Sequence, residues 1–141
     1  MKCGRAYTAG VSSQAWTVAS WNVNSLKVRL PHVLRLLEEY APDVLCLQET
    51  RLAAASVPAD IFRERGYHVR AGGTRGYAGV AILSKQPIDE VVHGFGSASA
   101  HADRRILCAT GGVWVDNVYV PTRRAIGKSE LALELISRGN G

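Results

Sequence analysis

Residues 17–50, TVASWNVNSLKVRLPHVLRLLEEYAPDVLCLQET, pass through three kinds of hydrophobic order. Thr17–Val23 is β-rich and strongly apolar and reads as a strand, with Asn22-Val23-Asn24-Ser25 as its polar end. From Leu26 to Tyr40 the apolar residues Leu26, Leu30, Val33, Leu34 and Leu37 recur at helical spacing. Pro31 falls early in this stretch, so the regular helix is expected to begin near it. Ala41-Pro42-Asp43 ends the helix. Val44–Gln48 is a second strand, apolar on both faces as in a buried parallel strand. The unit is β-α-β, whose crossover is right-handed and whose strands are parallel. Asn22, Asn24 and Glu49 therefore leave the sheet at the same edge, where open α/β sheets bind ligands.

Reading outward, residues 59–65 form a short helix or turn, residues 66–70 a strand candidate and residues 72–76, GGTRG, a basic loop. Residues 79–85, GVAILSK, read as a strand that breaks at Gln86-Pro87, and residues 94–102 as a loop. A strand over 105–110, a turn at Gly111-Gly112 and a strand over 113–115 follow. Asp116-Asn117 then reads as a hairpin turn into a strand over 118–120. Residues 1–16 have no continuous apolar run of the secretory kind and read as a disordered leader. Residues 122–141 change character: helical periodicity from Glu130 to Ile136 suggests an amphipathic helix, with no strand or site signal.

At 141 residues, 47% apolar and 21% charged, the chain suits one soluble globular domain. No run of about 18 apolar residues exists, so neither a membrane span nor a membrane partner is expected. The three cysteines fit no zinc spacing. Cys46 and Cys108 sit in apolar runs as small buried hydrophobes, consistent with a reducing, cytoplasmic setting. The net charge of +5 is compatible with a phosphate-rich partner, although many basic proteins bind no nucleic acid.

Glu49 is an acid directly after an apolar strand, with amides converging from the neighbouring strand. A hard cation takes one or two carboxylates and fills its shell with water and phosphate, so these residues could form part of such a site. They could equally be a solvated strand end with capping asparagines. Tyr119 could be half-buried packing, Tyr77 a turn aromatic, and Arg104 and Arg105 a solvated strand start. Trp21 is core on either reading, and His68, His93 and His101 read as surface residues.

The stretches SWNVNSL, PDVLCLQETRL, GYAGVAILSK, RRILCA and NVYVP follow one another in an order and spacing that resemble the exonuclease III / AP-endonuclease family, within the endonuclease/exonuclease/phosphatase superfamily. The resemblance covers residues 17–121. It implies an α/β fold, one half of a four-layer α/β/β/α sandwich with a mixed sheet flanked by helices. It also implies a Mg²⁺-dependent (Mn²⁺ possible) DNA-repair phosphodiesterase acting on duplex DNA at abasic sites or 3′ ends. Residue by residue, Glu49 resembles the family's metal-binding glutamate, and Asn24 lies where relatives carry Asn or Asp near the metal. Asn22 resembles the asparagine that orients catalytic groups around the scissile phosphate, and Tyr119 the tyrosine that hydrogen-bonds it. Lys27, Arg75, Tyr77 and Arg105 lie in segments resembling DNA-backbone contacts.

The family pattern also requires a catalytic Asp in GDxN and an Asp/His pair in a terminal SDH motif. None of the five aspartates here, Asp43, Asp60, Asp89, Asp103 and Asp116, lies in GDxN, and no Asp-His pair occurs. The family continues after the tyrosine strand with YxPxG, whereas here Pro121 is followed by Thr122-Arg123-Arg124. The expectation is a truncated, inactive chain. The alternatives are a non-catalytic DNA-binding half-domain and a non-functional frameshift product. A single sheet is expected, leaving an exposed inner face prone to self-association.

Overall fold

A computed structural model describes residues 2–6, 15–74, 77–95 and 103–121, with backbone alone for residues 2–6. The described strands are β1 (Lys2–Ala6), β2 (Trp16–Asn22), β3 (Val44–Gln48), β4 (His68–Gly72), β5 (Val80–Ser84), β6 (Ile88–His93), β7 (Arg105–Thr110) and β8 (Val113–Val118). Helix α1 spans Leu26–Tyr40 and the short α2 spans Ala59–Arg63, preceded by a 3₁₀ turn at Ala54–Ser56. The tail beyond Pro121 and the loop residues 96–102 lie outside the described residues.

The strands form a mixed five-stranded sheet in the order β1-β2-β3-β5-β4 and a three-stranded sheet in the order β6-β7-β8. β2 and β3 are parallel, with Asn22 registered against Gln48, as the crossover required. β5 runs antiparallel to both β3 and β4. The α/β class is therefore the observed one.

Side-chain alternation on β3 and β5 assigns each residue to one of two cores. Leu45, Leu47, Ala81 and Leu83 pack on the helix side with Leu26, Val33, Leu36, Leu37 and Phe62. Val44, Cys46, Val80 and Ile82 pack on the other side with Ile88, Ile106 and Cys108 of the second sheet. Two fully covered faces explain why VLCLQ and VAILS read as continuous apolar runs.

This arrangement corrects four expectations. The inner face of the first sheet is not exposed: the second sheet covers it, which removes the stated ground for self-association. Residues 2–6 are not a disordered leader, because their backbone pairs antiparallel with β2, from Lys2↔Ser20 to Ala6↔Trp16. Asp116-Asn117 is not a turn. β8 is one strand in register with β7 from Arg105↔Val118 to Thr110↔Val113. Tertiary partners override the turn propensity there, since Asp116 pairs with Arg105 at 2.8 Å and Asn117 is consumed by inward hydrogen bonds. Helix α1 starts at Leu26, not near Pro31, because Ser25 caps it: the Ser25 Oγ accepts from the Val28 N–H at 3.4 Å. Strand β6 carried no recognisable signal, since its exposed Asp89, Glu90 and His93 blur the alternation.

Candidate active site

The C-terminal ends of β2 and β3 open into short segments that the neighbouring backbone holds from two sides. On one side the Val23 N–H donates to the Gln48 carbonyl at 3.0 Å, the Ser25 N–H to that of Glu49 at 2.8 Å and the Leu26 N–H to that of Thr50 at 3.0 Å. On the other, the Thr50 N–H donates to the Gly79 carbonyl at 3.1 Å and the Arg51 N–H to that of Ala78 at 2.8 Å. The linkage continues into the second sheet, from the Gly79 N–H to the Asp103 carbonyl at 2.8 Å and from the Tyr119 N–H to the Arg104 carbonyl at 2.7 Å. One belt of backbone bonds thus joins five separate chain segments at a single end of the molecule.

That belt holds non-glycine residues in the left-handed region: Asn24 at φ 43, Ser25 at φ 93, Glu49 at φ 52, Arg51 at φ 54 and Ala78 at φ 46. Such conformations cost of order 1–3 kcal/mol each and persist only where surrounding structure over-determines them. The remaining non-glycine case, Ala41, is the C-cap of α1. Gly79 makes the close approach possible: a Cβ there would lie 2.2 Å from the Thr50 Oγ1, and its φ is +88.

The Glu49 side chain, 19% exposed, accepts an ion-pair contact from Arg51 at 3.5 Å. The Tyr119 phenol lies near enough to the same carboxylate for Glu49 to act on its proton. Burial, hydrogen bonding with Glu49 and the nearby Glu49 charge hold the Tyr119 phenol above its ordinary range, while Arg104 and Arg51 pull it back. Tyr119 stays neutral and able to donate at any ordinary pH.

The structure therefore brings Glu49 and Tyr119 near one another, from different sheets and not from the edge of a single one. Asn22 and Asn24 stand beside them, with the Asn22 Oδ1 accepting from the Asn24 N–H at 3.1 Å. Lys27 is exposed in the first turn of α1, and Tyr77, 79% exposed, borders Ala78-Gly79. Arg75 lies outside the described residues. Arg105 is not brought to the site. It pairs with Val118, whose side chain points to the opposite face from Asn117 and Tyr119. Its guanidinium is held by Asp116, by the Gly94 carbonyl at 3.1 Å and by the Phe95 ring at 5.3 Å. The cations near Glu49 and Tyr119 are instead Arg51, to which the sequence assigned no role, and Arg104, which it read only as part of a solvated strand start. Reading β8 as one strand would have found Arg104 by parity.

The oxygen donors at this end, a half-buried carboxylate and two amides, match the chemistry a hard divalent cation requires. Among the described residues, no group of three or more His, Cys, Asp or Glu side chains surrounds a common point. A cation held here would need further oxygens from water or a phosphate.

Residues 19–140 match the model of the endonuclease/exonuclease/phosphatase family, running past Pro121, and the chain belongs to that family. Among curated proteins it is 39% identical over 108 residues to exodeoxyribonuclease III of Haemophilus influenzae, covering 72% of this chain and 40% of that one. Among solved structures it resembles an AP endonuclease from Archaeoglobus fulgidus, with TM-score 0.76 and 36% identity, over 86% of this chain and 48% of that one. It also resembles the 3′ phosphatase NExo from Neisseria, solved bound to product DNA hairpin, with TM-score 0.75 and 34% identity, over 86% and 48% of the two chains. The chain thus spans less than half the length of each.

Proposed function

We propose that this chain carries the metal- and phosphate-binding half of a Mg²⁺-dependent DNA-repair phosphodiesterase of the exonuclease III / AP-endonuclease kind. The observation that carries the proposal is the convergence of Glu49 and Tyr119, from separate sheets, on a belt of strained backbone. Glu49, with Asn24 beside it, would hold a Mg²⁺ or Mn²⁺ ion. Such an ion, when bound, neutralises charge developing on a phosphoryl oxygen. The neutral Tyr119 phenol can donate to a phosphate oxygen, and the Asn22 amide can orient the same group. Arg51, exposed beside Glu49, together with Lys27 and Tyr77, offers contacts to the DNA backbone of duplexes with abasic sites or 3′ ends.

Among the described residues no cluster of carboxylates or histidines stands ready to position an attacking water. Removing one preorganised group typically costs about 100- to 1000-fold in rate, so the chain alone is expected to bind without measurable cleavage. The test incubates the purified chain with Mg²⁺ and a duplex carrying an abasic-site analogue, scoring both binding and cutting. Expected is weak, salt-dependent binding, strengthened by Mg²⁺ and reduced by Glu49→Gln, with no product. Binding unaffected by both Mg²⁺ and Glu49→Gln would overturn the assignment of the site. Metal-dependent cutting lost in Glu49→Gln would overturn the claim of inactivity.

A further inference from the structure

Glu49 and Tyr119 belong to different sheets, and neither strand end is long enough to fix their distance by itself. What links them is polar and lies directly beneath. Asn117, two residues before Tyr119, is 2% exposed and sits between the sheets. Its Nδ2 donates to the Leu47 carbonyl at 2.9 Å and the Ala81 carbonyl at 2.8 Å, residues directly opposed on β3 and β5. Its Oδ1 accepts from the Gln48 Nε2 at 2.7 Å, and Gln48 immediately precedes Glu49. The same Nε2 donates to the Ser20 Oγ on β2 at 3.0 Å. One amide therefore reaches β3 and β5 directly and β2 through Gln48.

We propose that Asn117, through Gln48, is the positioning residue that sets Tyr119 against Glu49. The significance of that pairing rests on the function proposed above, but the coupling itself does not. Four considerations argue for it. A buried amide with both hydrogens and its oxygen engaged is held in one orientation, since any displacement leaves a buried donor or acceptor unpaired. The lock contacts the first sheet at Leu47 and Gln48, the residues leading into Glu49, so motion of β8 along β3 is blocked where it would separate the pair. A second side-chain contact between the sheets, Ser84 Oγ to Thr110 Oγ1 at 2.8 Å, lies at the far end of β5 and β7 and cannot serve this purpose. Packing alone would not supply the constraint, because the surrounding Val, Ile and Cys side chains are non-directional contacts that tolerate small slides between sheets.

The test reads the influence of Glu49 on Tyr119 directly, without metal, DNA or activity. The chain is labelled with ¹³C at the hydroxyl-bearing ring carbon of its five tyrosines. The Tyr119 resonance is assigned by its loss in Tyr119→Phe. At neutral pH, Glu49→Gln is expected to displace that resonance. The same substitution made in the shape-conserving Asn117→Leu or Gln48→Met background is expected to displace it by less than about half as much, as coupling through a shared network requires. In Ser20→Ala, which leaves the Asn117–Gln48 bond intact, the displacement is expected to persist. An undiminished displacement in folded Asn117→Leu and Gln48→Met would overturn the proposal, making Asn117 only an inter-sheet packing residue. Should Asn117→Leu fail to fold, Gln48→Met alone decides, because Gln48 is only half-buried. Loss of Mg²⁺ or DNA binding as a property of the site would leave these shifts unchanged, so the two readings fail separately.

Discussion

The two ends of the first sheet are built from the same strands but solve different problems. At the Glu49 end the backbone is held in left-handed conformations, charges face one another, and Thr50 buries an Oγ1 with no hydrogen-bond partner among the described residues. At the opposite end the polar groups are paired conventionally. The Asp43 carboxylate accepts from the Thr17 N–H at 2.7 Å, and the Tyr67 hydroxyl donates to the Pro42 carbonyl at 2.8 Å. The Lys85 Nζ donates to the Ala41 carbonyl at 2.6 Å, and Ser84 meets Thr110. One end stores unfavourable local conformation and the other spends its polar groups on stability. Such a division is what a site grafted onto a rigid scaffold requires.

The largest expected effect tests whether the two ends unfold as one unit. Burial pushes the Cys46 thiol up to about 12 and the Cys108 thiol up to about 11, from an ordinary 9.0. An unfolded chain loses these protons as pH rises through 9, while the native chain keeps them. Stability is therefore fully present below pH 9. It should fall above it by about 1.4 kcal/mol per pH unit per thiol until the folded values are reached. Chemical denaturation at pH 8, 9 and 10, read by fluorescence and by amide exchange, measures this. Coincident loss at both ends marks a single cooperative unit, and earlier loss at the Glu49 end would split it.

Gly79→Ala attacks the strained end alone. A left-handed φ costs a side chain about 1–2 kcal/mol and forced overlap about 1–3 kcal/mol, so a loss near 3 kcal/mol is expected. Gly112→Ala is the comparator, with φ +79 but nothing within 4 Å of the added Cβ, and should cost only about 1 kcal/mol. Equal losses in denaturant melts would mean that the approach of Gly79 to Thr50 carries no weight.

The smallest effects should have opposite signs at the two ends. Tyr67→Phe removes a made hydrogen bond and strands a carbonyl, destabilising by about 1 kcal/mol. Thr50→Val removes a buried hydroxyl that lacks a partner among the described residues and should stabilise by up to about 1 kcal/mol. Thermal melts of both variants check the pair, and destabilisation by Thr50→Val would show that its hydroxyl has a role.

The β-α-β unit was legible because its signals are local and periodic. Leu26, Val33 and Leu37 lie a helical stripe apart, and residues 44–47, VLCL, are apolar at every position because both faces of the strand are covered. Their arrangement alone placed Asn22, Asn24 and Glu49 at one sheet edge, since a parallel crossover admits no other outcome. The meeting of Tyr119 with Glu49 was not legible as geometry, because it depends on how two sheets stack. Nor was the replacement of Arg105 by Arg104 and Arg51 near the site. Asp116-Asn117 has the composition of a turn, and only the Arg105 guanidinium and the Leu47 and Ala81 carbonyls make it strand. Hydrophobic period fixes which residues share a face of one element. The partner that satisfies a buried amide or charge comes from distant chain, and only tertiary packing selects it.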